Sequence, residues 1–120
     1  MDAPFTLPFD VFWAWLGRHP NCILRAGTPE AMLYDDDDLH WAFTDEEDGT
    51  LVVQLLRGKH PVGELLLSPE QVTYAQAAPQ ERDDEHVFEL IQETETDRIA
   101  SYFFVLAHGW QEEEAPPRVH

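Results

Sequence analysis

Between residues 21 and 91 the chain alternates short apolar runs with short polar turns, and this two-residue period restricts it to β-structure. Connections this short join only antiparallel neighbours, because a parallel crossover needs a dozen residues or more. The pattern places strands at 22–26, 31–34, 40–44, 51–57 and 62–67, with further strands through Val72 and Tyr74 and over 86–92. In 51–57 Leu51, Val53 and Leu55 share one side while Val52 and Leu56 take the other, so something must cover each face of the sheet.

The ends of the chain change period. Phe9, Phe12, Trp13 and Leu16 fall at i, i+3, i+4 and i+7, which predicts a helix of about ten residues after Pro8. Thr6 is its expected N-cap, Asp10 suits the positive end of the dipole, and Gly17 with Pro20 stops it. Val11 and Trp15 lie outside that stripe. Ile99, Tyr102, Phe103 and Leu106 repeat the spacing behind Thr94–Asp97, a relative of the capping box, and Gly109 is a natural helix terminator. A strand through 102–106 is the alternative. The expected fold is therefore α+β: an antiparallel sheet of six or seven strands with a β-meander core, flanked by an N-terminal and a C-terminal helix. Residues 1–110 read as one domain, and 111–120 as an acidic, proline-containing mobile tail.

Charge narrows the functional classes. The 24 acids against 7 Lys and Arg give a net charge of −17. Direct binding to nucleic acid or to an anionic membrane needs clustered cations and is not expected. No apolar run approaches the roughly 18 residues of a membrane span, and the start lacks a signal-like apolar core, so a cytoplasmic location is expected. The acids are also grouped. Asp35, Asp36, Asp37 and Asp38 form one run and Asp45, Glu46, Glu47 and Asp48 another, with eight further acids between Glu81 and Asp97. Like-charge runs prefer solvated loops. Such grouping also argues against a general high-salt adaptation, which would spread acids over the whole surface.

The motifs of chemistry are missing. Counting an EF-hand from Asp45 puts Thr50 at position 6 and Leu56 at position 12, and counting from Asp35 puts His40 at position 6, so both fail. Six scattered histidines form no HExxH or HxH pair, and phosphate-binding glycine motifs and a GxSxG elbow are absent. Cys22, the single cysteine, excludes an internal disulfide and reads as a small packed hydrophobe, although His19 lies three residues away. Arg57, Lys59 and His60 gather at one turn, where they would neutralise neighbouring acids. No catalytic residue, cofactor or metal is expected.

The leading expectation is a non-catalytic binding domain of adaptor, regulatory, immunity or chaperone type. It would capture a basic or amphipathic protein through the two acidic runs, with Trp15 and Trp41 as exposed anchors. A homodimer is left open. The alternatives are a DNA mimic that occupies a nucleic-acid-binding protein, and a small-ligand or enzyme domain without a recognisable motif.

Overall fold

The computed structural model describes residues 5–78, 82 and 84–109. It is α+β and mostly antiparallel sheet: β1 (Phe5–Leu7), α1 (Phe9–Gly17), a 3-10 turn (Pro20–Cys22), β2 (Ile23–Gly27), β3 (Met32–Tyr34), β4 (Leu39–Asp45), β5 (Leu51–Arg57), β6 (His60–Leu67), a second 3-10 turn (Pro69–Gln71), β7 (Tyr74–Ala77), β8 (His86–Glu93) and β9 (Arg98–Leu106). The strands make two sheets rather than the single sheet expected. One has six strands in the order β1-β7-β8-β9-β2-β3, and the other is the meander β4-β5-β6.

Helix α1 explains why the sequence carries more apolar surface there than one stripe needs. Its buried residues are Phe12, Trp15 and Leu16, and Phe12 packs on Phe88 of β8 and Phe104 of β9 at ring distances of 5.2 and 5.8 Å. Trp13 turns to the other sheet and meets Phe43 of β4 edge-on at 5.4 Å. The helix thus touches both sheets. Trp15, expected outside the main stripe, is inside the core. Pro8 rather than Thr6 caps the helix, because Thr6 sits in β1 opposite Gln76.

The C-terminal helix is a correction. Residues 98–106 form the longest strand, β9. Tyr102, Phe104 and Leu106 pair with Leu90, Phe88 and His86, and a register shift at Leu90/Ile91 restores alternation after an extra residue. With apolar residues on both faces, this segment satisfies the helical spacing by coincidence. Its start misleads for a chemical reason. The Thr94 hydroxyl accepts from the Asp97 backbone N–H at 3.0 Å, the bond a helix N-cap would make, but here it closes the β8–β9 turn.

The inner faces of both sheets and the helix share one core, which includes Val53, Leu55, Leu65, Leu67, Ala75 and Leu90. Among the described residues no helix is long and apolar enough to cross a membrane. Phe12→Ala should therefore cost about 3–5 kcal/mol in urea unfolding. Val11→Ala, at a helix position exposed to solvent, should change stability by no more than about 0.5 kcal/mol.

Candidate functional site

The two acidic runs do not meet. Asp35–Asp38 precede β4, whereas Asp45 ends it and Glu46, Glu47 and Asp48 form the following turn. At about 3.3 Å per residue, the seven-residue β4 separates them by about 20 Å. That exceeds two Debye lengths of about 8 Å at physiological salt. All eight side chains are exposed. Some also build their own loops. Asp48 Oδ1 accepts from the Thr50 backbone N–H at 3.0 Å, which holds its carboxyl below the usual range, and Gly49 completes the turn at φ 92°. In the first run Asp36 Oδ1 accepts from Asp37 N–H at 2.7 Å, and the Asp36 carbonyl accepts from Leu39 N–H. The Arg57 and Lys59 hairpin lies at the Asp35–Asp38 end, because Leu39 pairs with Arg57. An open cleft of about 290 Å³ at the other end is lined by Asp48, Gly49, Thr50, Ser68, Pro69 and Glu70.

Neither tryptophan can serve as an exposed anchor. Trp15 is 0% exposed and Trp41 is 5% exposed. Trp41 donates its indole N–H to the Ile23 carbonyl at 3.1 Å and ties β4 to the start of β2. Among the described residues the large aromatic that is exposed is Tyr34, 63% exposed, at the end of edge strand β3 and directly before Asp35. Strand alternation could have found it. Leu33 points inward toward Gly63 of β6, so Tyr34 must point out.

Tyr34 stands on the outer face of the six-stranded sheet opposite Arg25. Arg25 and Glu85 form a two-pronged ion pair at 3.0 and 3.2 Å, with both side chains about three-quarters covered. The Arg25 hydrogen bonds hold the Glu85 carboxyl below its ordinary value, and Glu85 raises Arg25. Farther along this face Arg98 donates to the Tyr74 hydroxyl at 2.9 Å and to Gln76, and Gln76 donates to Glu89 at 3.1 Å. These polar cross-links flank apolar residues of the same face, Val87, Phe103 and Val105.

A second grouping was not visible in the sequence. Cys22 closes the 3-10 turn after α1, and the chain end beyond β9 brings His108 to it, with Nε2 2.9 Å from Sγ. His108 Nδ1 lies 3.1 Å from the Gly109 carbonyl. A carbonyl only accepts, so Nδ1 carries the proton and Nε2 presents its lone pair to the thiol. His19 sits against the same ring at 5.2 Å, with its own Nδ1 donating to the Trp15 carbonyl at 2.8 Å. Among the described residues, this partner of Cys22 is 86 residues away in the sequence. The six-strand order causes this, since β9 pairs with β2. Among the described residues, no three His, Cys, Asp or Glu side chains are grouped to hold a metal ion. Compared with protein-family models, with curated proteins and with solved structures, the chain matches none.

The Arg25–Glu85 pair gives a pH test. Because the folded-state value of Glu85 is depressed, its contribution is present above the unfolded value of 4.5 and fades as pH falls through the folded value. Glu85→Gln should lower the urea midpoint near neutral pH, and the gap from the unaltered protein should narrow as pH falls below 4.5. A gap that is constant with pH would mean that the ionised pair is not its source.

Proposed function

We propose that this chain is a non-catalytic binding domain that captures a basic protein segment at Tyr34 and Asp35–Asp38. The observation that carries the reading is the placement of an exposed tyrosine on an edge strand directly before four exposed aspartates. Carboxylates grouped on a loop attract a cationic partner over several ångströms and raise its association rate. The tyrosine ring then offers an apolar platform and a negative π-face to an arginine or lysine side chain. The Asp45–Asp48 turn, at the far end of β4, adds to the general field without touching the same segment.

Geometry also ranks the alternatives. A mimic of a nucleic-acid strand needs a continuous track of negative charge. Residues 39–44 between the two runs contain no acid, so the track is broken. Pairing two copies through Tyr34 and its aspartates would set like charges against each other. A basic partner is the complement that this surface fits.

The test is fluorescence anisotropy with a labelled lysine- and arginine-rich peptide. Affinity should fall steeply as salt rises from about 50 to 300 mM. Replacing Asp35–Asp38 with Asn should weaken binding about tenfold or more, and Tyr34→Ala about fivefold, within the range of single interface anchors. Changing Asp45, Glu46 and Glu47 to their amides should cost no more than about threefold, as expected for screened distant charges. Equal losses from both acidic sets would reduce the effect to net charge and sink the proposed location.

A further inference from the structure

We propose that Cys22 and His108 form a thiol–imidazole pair that makes Cys22 a site of covalent exchange with low-molecular-weight disulfides. A nucleophile–base arrangement needs three parts: the nucleophile, a base within hydrogen-bond reach, and a third group that orients the base. Cys22 Sγ, His108 Nε2 at 2.9 Å and the Gly109 carbonyl on Nδ1 supply them. They come from separate parts of the chain, the turn after α1 and the segment after β9. The backbone locks them together, because Ala107 N–H donates to the Cys22 carbonyl at 2.8 Å. Cys22 is half-buried rather than sealed in the core.

The step balances without any further reagent. His108 Nε2 takes the Cys22 proton, and the thiolate attacks one sulfur of the disulfide. The new S–S bond joins Cys22 to one half of the reagent. The other half leaves as a thiolate and takes the proton back from the His108 imidazolium. The chain has no second cysteine to resolve the product internally, so the reaction stops at a mixed disulfide that an external thiol can reverse.

Among the described residues, the titratable and charged groups around this pair include two further imidazoles and one closed ion pair. His19 lies against His108 from the helix end. His86, at the start of β8, lies against Gly109, where a side chain would collide with its ring at 2.8 Å. Glu85, beside His86, is engaged with Arg25. Arg18 is the other charged group at the helix end.

The experiment measures the reaction of the full chain with 4,4′-dithiodipyridine, an uncharged disulfide that the negative protein does not steer. At pH 6, below the ordinary thiol value of about 8.5, the folded chain should react about tenfold or more faster than the same chain unfolded in urea. His108→Gln should remove that excess, and His19→Gln should keep it to within about threefold, as expected for a neighbour that is not the base. A folded chain that reacts no faster than the unfolded one overturns the proposal, and this comparison requires no variant to fold. Retention of the full rate in a folded His108→Gln protein overturns it equally. Mass spectrometry after exposure to cystamine should show one adduct per chain, lost in Cys22→Ser.

Discussion

Three consecutive carbonyls at the start of β2 hold the molecule together. The Cys22 carbonyl accepts from Ala107 N–H, the Ile23 carbonyl from the Trp41 indole N–H, and the Leu24 carbonyl from Asp35 N–H. These three bonds attach the end of β9, the strand β4 and the first acidic loop to one short segment. Buried backbone acceptors must be paired, so each bond is both a requirement and a link. The Trp41 bond matters most for architecture, since it joins the small meander to the six-stranded sheet at a buried point where water cannot substitute.

This arrangement decides what the surface can offer a partner. Trp15, Phe12, Phe88 and Phe104 are all taken into the core, where the helix meets both sheets. Large aromatics in such a core fill space that no solvent-facing role could spare. Among the described residues no acid is buried in that interior, where an unpaired carboxylate would be costly. In the proposed reading, recognition falls to the place where an outward strand position carries an aromatic beside a turn of acids. Tyr34 and Asp35 occupy it.

Much of the fold was legible in the sequence because most segments bury one face. The helix after Pro8 announces itself through a 3.6-residue stripe, and the meander 39–67 through short apolar runs bounded by turn residues, even where β5 is apolar on both faces. Segment 98–106 does not, since Phe103 and Val105 are apolar on the outer face while Tyr102, Phe104 and Leu106 are apolar on the inner one. Periodicity carries no information when both faces are apolar. The division into two sheets was hidden for another reason: local pattern fixes a strand but not which non-neighbour it will pair with. The same blindness hid the Cys22–His108 pair, which exists only because β9 returns to β2. The buried states of Trp15 and Trp41 follow from a helix held between two sheets and from an indole bond to a distant carbonyl, and neither is a local property. Residues 1–4, 79–81, 83 and 110–120, with the expected tail at 111–120, lie outside the described residues.

The carbonyl segment also places the two proposed sites within two residues of each other along the chain, Cys22 on one side and Leu24, bound to Asp35, on the other. Losing the Cys22 proton to solvent would add a further negative charge to a chain of −17. Passing that proton to His108 across 2.9 Å leaves the total charge unchanged and creates only a short dipole. In the proposed exchange the imidazole is the group that lets the sulfur become nucleophilic without changing the net charge of the chain.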